Sequence, residues 1–331
     1  MATHSLGRSP TRTAPQDPSP FALPDKRPLA PAKFTDPLVT ADGSARAVVA
    51  LERLDTLWLN TGTLCNLACT SCYIESSPTN DALVYLTLAE AVGFLDQLAA
   101  PIEIGLTGGE PFMNPDIMAM LAAALGRGHR VLVLTNAMRP MRRHQAALLD
   151  LRQRYGAALT LRVSIDHYTA ALHEAERGPG SWQPMIEGLQ WLSAQNFALA
   201  AAGRALAGED EATARAAYAA LFSAEGIAID AGDPAHLVIF PEMDAGADVP
   251  EITTACWGVL HKSPSDVMCS ASRMVVHRRG EDAARVVACT LLPYDAQFDL
   301  GATLAEAARP VALNHPHCAR FCVLGGASCS A

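Results

Sequence analysis

Residues 63–73 read Thr-Leu-Cys-Asn-Leu-Ala-Cys-Thr-Ser-Cys-Tyr, and they place Cys65, Cys69 and Cys72 in the spacing C-x3-C-x2-C. The stretch follows a short apolar segment that the sequence predicts as a strand. Packing does not explain three thiols so close together, and soft thiolate ligands suit zinc or an iron–sulfur cluster. Three cysteine ligands on a four-iron cluster leave one iron open for a substrate or a cofactor. The stretch therefore predicts a metal-centred reaction site.

The composition is that of a globular α/β protein. The 331 residues suffice for two domains, and half of them are apolar with a low aromatic share. The formal net charge of −9 argues against binding to nucleic acid or anionic lipid, and no apolar run is long enough to span a membrane. The sequence therefore predicts neither a membrane nor a nucleic-acid partner.

Nine cysteines are present, with C-x3-C-x2-C near the start of the chain and C-x3-C-x6-C at its end. Because the N-terminus lacks the apolar core of a secretory signal, this pattern favours metal ligation over disulfides. It also predicts a reducing cytoplasm as the compartment. The basic residues 1–12, rich in Ser and Thr, leave a transit peptide as the alternative.

The distribution of apolar residues predicts three regions. Residues 1–46 are rich in Pro, Ser, Thr and Ala without periodicity, which predicts a flexible arm that the fold does not need. Over residues 51–240, six strand–helix units with short loops predict an α/β fold with a parallel sheet. Six units are too few for a closed barrel, so we expect an open, partial (βα)6 TIM-type barrel. A linker then leads to a cysteine-rich unit over residues 252–331.

Two helix starts in this barrel carry local signals. Thr87 and Glu90 have the spacing of a capping box before a helix over residues 87–99. Asn114, followed by Pro115, predicts the start of the next helix.

Two motifs together resemble those of the radical S-adenosylmethionine (SAM) superfamily. One is the cysteine stretch, with Tyr73 as the aromatic residue after the third cysteine. The other is Gly108-Gly109-Glu110-Pro111, which follows the second predicted strand. The resemblance covers about residues 51–240, and the second motif argues against the zinc site that the cysteines alone leave open.

The resemblance implies a 4Fe–4S cluster on the three cysteines as the catalytic centre. SAM would bind the open iron, and one electron would cleave it to a 5′-deoxyadenosyl radical. The backbone of Gly108 and Gly109 could approach the methionine amino group because no Cβ intervenes, and Glu110 would offer a polar contact near it. The alternative for the glycines is a tight strand-to-helix turn.

Ser164 and Asp166 end the fourth predicted strand, and with His173 and Arg177 they resemble the S-x-D…H-x3-R pattern of members with auxiliary clusters. The resemblance implies that Ser164 and Arg177 hold the SAM carboxylate. Asp166 would contact the ribose or brace the loop. The glycine that usually follows the aspartate is His167 here. The structural alternatives are a strand-end cap for Ser164 and a surface salt bridge for Arg177.

The C-terminal unit resembles the twitch or shortened SPASM extensions that hold auxiliary 4Fe–4S clusters. It contains six cysteines, which cannot fill two clusters, so the resemblance implies one. The implied ligands are Cys269, Cys289, Cys318 and Cys322, with Cys329 able to replace one of them. Cys256 beside Trp257 fits a buried thiol. A zinc ribbon is the alternative, which His315 and His317 favour.

The expected function is hydrogen-atom abstraction from a small molecule or a short peptide by the 5′-deoxyadenosyl radical. No peptide-recognition domain fits in the N-terminal arm, which favours the small molecule over a peptide- or protein-modifying maturase. The auxiliary cluster would bind substrate or accept an electron, and a flavodoxin or ferredoxin would be the reductant. A non-catalytic iron–sulfur or zinc protein for electron transfer or partner binding is the alternative from another class.

Overall fold

The computed structural model describes residues 18–242 and 244–326. A nine-stranded sheet forms its centre, and six consecutive parallel strands occupy the middle and one side of that sheet. In chain order the strands are β1 Val48–Val49, β2 Thr56–Asn60, β3 Glu103–Thr107, β4 Arg130–Thr135, β5 Leu159–Asp166, β6 Ala198–Arg204, β7 Leu237–Phe240, β8 Ser272–Val276, β9 Arg285–Val287, β10 Asp299–Gly301 and β11 Val311–Ala312.

Helices connect the parallel strands. They are α1 Leu88–Leu95, α2 Ile117–Gly126, α3 Arg139–Arg142, α4 Gln145–Tyr155, α5 Ala170–Arg177, α6 Trp182–Ala194, α7 Glu211–Ala224 and α8 Cys256–Leu260. The strand order β2-β3-β4-β5-β6-β7 follows the sequence, as right-handed βαβ units require. The prediction of an open, partial (βα)6 barrel is confirmed, because β7 remains an edge strand.

The core lies between the sheet and its helices, and local sequence signals set some of its boundaries. The predicted capping box is present, since Glu90 N–H donates to Thr87 Oγ1 (3.3 Å) and Thr87 N–H to the Glu90 carboxylate (2.9 Å). The predicted helix start at Asn114 is wrong. Asn114 instead donates to the carbonyls of Thr61 (3.0 Å) and Leu86 (2.9 Å), so it ties α2 to the segment after β2.

The N-terminal segment differs from the flexible arm that its composition predicts. Residues 1–17 lie outside the described residues, but residues 18–46 run along the segment that follows β7. Phe21 is only 2% exposed, and Leu29 N–H donates to the Gly246 carbonyl (2.8 Å). Arg46, whose side chain is fully buried, pairs with Glu251 (2.5 Å). Composition alone missed these contacts because every partner is distant in the sequence.

The C-terminal region continues the barrel sheet, although the sequence predicts a separate cysteine-rich unit. Strand β8 pairs with β2 in parallel, and β9 and β10 extend the sheet with antiparallel pairing. The short strands β1 and β11 form a second sheet, which joins the N-terminal and C-terminal regions. Tyr294 also donates from its hydroxyl to the Ile74 carbonyl (2.8 Å), just after the first cysteine stretch.

Within the described residues, no helix combines the length and the apolar character needed to cross a bilayer.

Candidate active site

The cysteine stretch forms a loop between β2 and α1. Cys65, Cys69 and Cys72 line one cavity of about 140 Å³, at the C-terminal ends of the parallel strands. Backbone bonds fix the loop: Cys65 N–H donates to the Ser77 carbonyl (3.0 Å), and Thr70 N–H to the Glu176 carbonyl (2.8 Å). The structure thus brings the three predicted ligands to the end of the sheet where barrel enzymes carry out their chemistry.

The Gly108-Gly109 pair packs its backbone against the start of this loop. Gly109 N–H donates to the Gly62 carbonyl at 2.7 Å. A Cβ on Gly109 would lie 2.1 Å from the Leu64 carbonyl oxygen, and one on Gly108 would lie 2.5 Å from the Gly62 oxygen. Gly108 also has a backbone φ of +138°, a conformation that residues other than glycine rarely adopt. Both glycines line the cavity, and their close approach to the loop explains why no larger residue fits.

Glu110 is buried beside the cavity and does not line it, which differs from the expected contact with the SAM amino group. Its carboxylate accepts bonds from Thr135 Oγ1 (2.8 Å) and from the backbone N–H of Asn136 (2.9 Å) and Phe112 (3.2 Å). Burial raises the pKa of Glu110 to about 7, although these bonds act in the opposite direction. Glu110 therefore ties the glycine segment to the end of β4.

Asp166 ends β5 and holds two arginines. Its Oδ2 accepts from Arg177 Nε (2.6 Å) and its Oδ1 from Arg204 Nε (2.9 Å). Although burial opposes ionisation, the two guanidinium groups hold the pKa of Asp166 well below its usual range. All three residues line the cavity. Asp166 thus fixes both arginines, and Arg177 is a buried cavity residue instead of a surface one.

A second buried acid, Glu176 on α5, connects this pair to the cysteine loop. Glu176 accepts from Ser71 N–H (2.8 Å) and Ser71 Oγ (2.7 Å), and from Ser19 Oγ (2.7 Å) of the N-terminal segment. Arg204 Nη1 donates to the same Ser71 hydroxyl (2.7 Å). The loop between Cys69 and Cys72 is therefore fixed by polar contacts from α5 and β6, and Ser19 of the N-terminal segment holds Glu176 in turn.

Of the remaining predicted residues, two line the cavity and one does not. Ser164 and Tyr73 line it, as the sequence predicts. His173 does not, because its Nδ1 contacts the Ile165 carbonyl at 2.5 Å and its ring packs edge-on against Trp182. The lining residues that sequence reasoning missed include Arg162, Arg204 and Phe240. Arg204 and Phe240 end the observed strands β6 and β7, and a position at the end of a strand was the one signal that could have identified them.

Burial strongly affects the thiols of the loop. It raises the pKa of Cys65 to about 12 and that of Cys69 to about 11, and the nearby Arg177 charge partly offsets the effect at Cys69. Buried thiols that must ionise to act as ligands need a cation to compensate for burial. The site therefore has the donor chemistry of an iron–sulfur centre.

A second cysteine group lies in the C-terminal region. Cys269, Cys289, Cys318 and Cys322 are all buried and line one small cavity together with His317. Cys318 and Cys322 lie on a π-helical turn, Cys318–Leu324. Burial raises the pKa of Cys269 to about 11 and that of Cys318 well above its usual value. The four residues that the resemblance implies as ligands thus lie around one cavity.

The other C-terminal cysteines differ from these four. Cys256 does not line the cavity, and its sulfur accepts from Thr253 N–H (3.3 Å). It is partly exposed, where the sequence predicts a buried thiol. Cys329 lies outside the described residues. Among residues 18–242 and 244–326, no three His, Cys, Asp or Glu side chains are close enough to share one metal ion. The thiols of each cysteine group therefore surround a cavity and do not converge on the position of a single metal ion.

Comparison with known proteins gives a family. Residues 59–206 match the radical SAM superfamily, a range that contains the three-cysteine loop, the glycine pair and both arginines bound to Asp166. This family implies a 4Fe–4S cluster and SAM as cofactors.

Curated relatives match over the same part of the chain. The antilisterial bacteriocin subtilosin biosynthesis protein AlbA of Bacillus subtilis is 30% identical over 39% of this chain and 28% of its own length. The AdoMet-dependent heme synthase of Methanosarcina barkeri is 33% identical, over 40% of this chain and 37% of its own length. The mycofactocin maturase MftC of Mycobacterium tuberculosis is 28% identical over 40% of this chain. The matches thus span about a third of each relative.

Solved structures share the fold over more of the chain. Streptococcus suis SuiB bound to S-adenosylmethionine aligns with a TM-score of 0.53 and 12% identity, over 76% of this chain and 64% of SuiB. Native anSMEcpe with bound AdoMet aligns with a TM-score of 0.53 and 13% identity, over 76% of this chain and 79% of its own. Residues 59–206 of the chain thus match the radical SAM superfamily, and the fold shared with these structures extends over more of the chain.

Proposed function

We propose that the chain is a radical SAM enzyme that abstracts a hydrogen atom from a bound substrate. When bound, the cluster in its reduced state would supply one electron to SAM, whose C–S bond would break to give methionine and a 5′-deoxyadenosyl radical that takes the hydrogen atom from the substrate. One observation carries the proposal: the three cysteines, the glycine pair and Arg177 line the same cavity. A carrier of electrons alone needs the cysteines but neither the glycines nor the arginine.

Within this proposal, Arg177 and Ser164 bind the carboxylate of SAM. The Nε of Arg177 is held by Asp166, and its guanidinium lines the cavity. A guanidinium held at Nε presents its two terminal nitrogens as a fixed fork, which suits a carboxylate. Asp166 therefore acts as a positioning residue for Arg177, and Arg204 keeps Asp166 in place from the other side.

Gly108 and Gly109 provide an open face of backbone beside the cysteine loop. With no Cβ, their backbone polar groups can approach the amino group of SAM. Glu110 acts behind them, because its bonds to Thr135 and Asn136 fix the ends of β3 and β4 relative to each other. Apolar lining residues, including Tyr73 and Phe240, limit the access of water to a reactive radical.

We also propose one auxiliary 4Fe–4S cluster on Cys269, Cys289, Cys318 and Cys322, within an auxiliary unit at residues 252–331 that follows a core at residues 51–240. Four buried thiols around one cavity support this proposal, because thiolates are the ligands of 4Fe–4S clusters. The cluster would bind substrate or accept an electron from the substrate radical. A flavodoxin or ferredoxin would reduce the first cluster.

Two substrate classes remain in the proposal, a small molecule and a peptide. A small molecule fits the enclosed cavity. A peptide is favoured by the fold, because the similar SuiB has a structure bound to precursor peptide SuiA. The chain would in that case be a maturase.

The test is release of 5′-deoxyadenosine from SAM by the reconstituted protein under anaerobic conditions with dithionite. The wild type should release it, Cys69→Ala should release none, and Cys256→Ala should match the wild type because Cys256 lines neither cavity. A wild type that holds iron but releases no 5′-deoxyadenosine would support the non-catalytic electron-transfer alternative.

A further inference from the structure

Arg273, on β8, is an arginine buried in the interior of the C-terminal region, with an exposed fraction of 1%. Within the described part of the chain, its side chain donates hydrogen bonds to backbone carbonyls. Nε donates to Ala307 (2.8 Å), Nη1 to Cys269 (2.6 Å) and Ser272 (2.7 Å), and Nη2 to Arg309 (3.2 Å). The guanidinium is therefore well fixed, and its hydrogen bonds are satisfied.

The positive charge of Arg273, by contrast, is not neutralised by an acidic side chain among the described residues. Among the described residues no carboxylate pairs with Arg273, whereas the buried Arg177 pairs with Asp166 and Arg46 pairs with Glu251. Carbonyl oxygens provide hydrogen bonds but no net negative charge. An isolated charge in the interior is costly unless an opposite charge compensates it.

The cysteine group of the second cavity is the source of negative charge next to Arg273. The guanidinium contacts the backbone of Cys269 directly, and its charge acts on the sulfurs of both Cys269 and Cys289. A 4Fe–4S cluster on four thiolates carries a net negative charge, which grows by one on one-electron reduction. A fixed cation beside it favours the more negative, reduced state.

We propose that Arg273 is the internal counter-charge of the auxiliary cluster and raises the reduction potential of that cluster. The inference rests on the auxiliary cluster proposed above. Arg273 is a positioning residue here and touches neither SAM nor substrate. Its charge makes the auxiliary cluster a better acceptor for one electron, since cluster potentials depend on the charge and hydrogen bonds around them.

The experiment uses the full chain with Cys65, Cys69 and Cys72 replaced by Ala, so that only the auxiliary site holds iron. Its midpoint potential is measured by dithionite titration with electron paramagnetic resonance. Arg273→Met and Arg273→Gln should each shift the reduction equilibrium at least tenfold towards the oxidised state, about 59 mV for one electron. Arg273→Lys should retain most of the wild-type potential. The matched control is Arg278→Met, because Asp299 already neutralises Arg278.

Each outcome of this experiment supports or overturns the proposed role of Arg273. Equal potentials in the Met and wild-type forms, or a Lys form as low as the Met and Gln forms, would overturn the role of the charge. If Met and Gln variants hold no iron but Lys does, the positive charge is needed to hold the cluster, which supports the proposal. Loss of iron from all three variants would make Arg273 a structural residue only. A parent that lacks iron altogether would overturn the auxiliary cluster itself and the inference with it.

Discussion

Asp166→Asn tests the polar framework that orients the cavity. The substitution removes the one carboxylate that Arg177 and Arg204 share, at a side chain that is 6% exposed. Removing one partner of a buried ion pair leaves an uncompensated charge, at a cost of about 3–5 kcal/mol. We therefore expect the free energy of unfolding, measured by denaturant titration, to fall by about 3 kcal/mol or more.

The pH dependence provides an internal check. Because the two arginines lower the pKa of Asp166 in the folded state, its contribution is complete above the unfolded pKa near 3.8 and is lost as the pH falls towards the folded pKa. The stability difference between the wild type and Asp166→Asn should therefore be constant near neutral pH and shrink below about pH 4.

A double-mutant cycle with Arg204→Met separates the pair from general disruption. The two substitutions act on one ion pair, so the double variant should lose less stability than the sum of the single variants. If Asp166→Asn lowers the free energy of unfolding by less than about 1 kcal/mol, the value of an exposed ion pair, then the buried carboxylate does not stabilise the fold as expected. Additive losses would refute the reasoning as well.

Three other substitutions test separate parts of the account. Gly109→Ala should remove iron from the three-cysteine site and abolish SAM cleavage, because its Cβ would lie 2.1 Å from a loop carbonyl oxygen. The control Gly126→Ala should retain both the iron and the activity, because its Cβ would meet no atom closer than 3.8 Å. The wild type should lose stability as the pH rises from about 4.5 to 7, because burial raises the pKa of the folded Glu110 carboxyl to about 7 and its ionisation opposes folding. Glu110→Gln should abolish this loss. An equal change of the free energy of unfolding with pH in both proteins, measured by denaturant titration, would contradict the prediction. Cys318→Ala should lower iron and sulfide, measured by chemical analysis, by about half, and Cys256→Ala should not change them; an unchanged iron content in Cys318→Ala would count against the second cluster.

Local patterns in the sequence predicted the barrel and the position of its reaction centre. The strand–helix alternation and the capping box at Thr87 depend on neighbouring residues, and the structure confirms both. The three cysteines follow a strand directly, so the end of the sheet at which they lie could be predicted as well. Helix α5, which carries Glu176 and Arg177, was missed because it is only eight residues long and its buried residues, His173 and Glu176, are polar.

Long-range contacts account for most of what the sequence did not predict. Glu110 was assigned to the cofactor, but its partners Thr135 and Asn136 lie at the end of the next strand and are visible only in three dimensions. Arg204 ends an Ala-rich strand and carries no motif, so nothing in the sequence indicated its bond to Asp166. Strand β8 pairs with β2 from a distant part of the chain, which periodicity does not reveal.

The central claim is that one iron of the three-cysteine cluster is open and that Arg177 holds SAM against it. The most direct test is the electron paramagnetic resonance spectrum of the reduced Cys318→Ala variant, with and without SAM. SAM should change the spectrum of the three-cysteine cluster, and this change should be lost when the substitution Arg177→Met is added. A spectrum that saturating SAM leaves unchanged, in a variant that holds the cluster, would contradict the account.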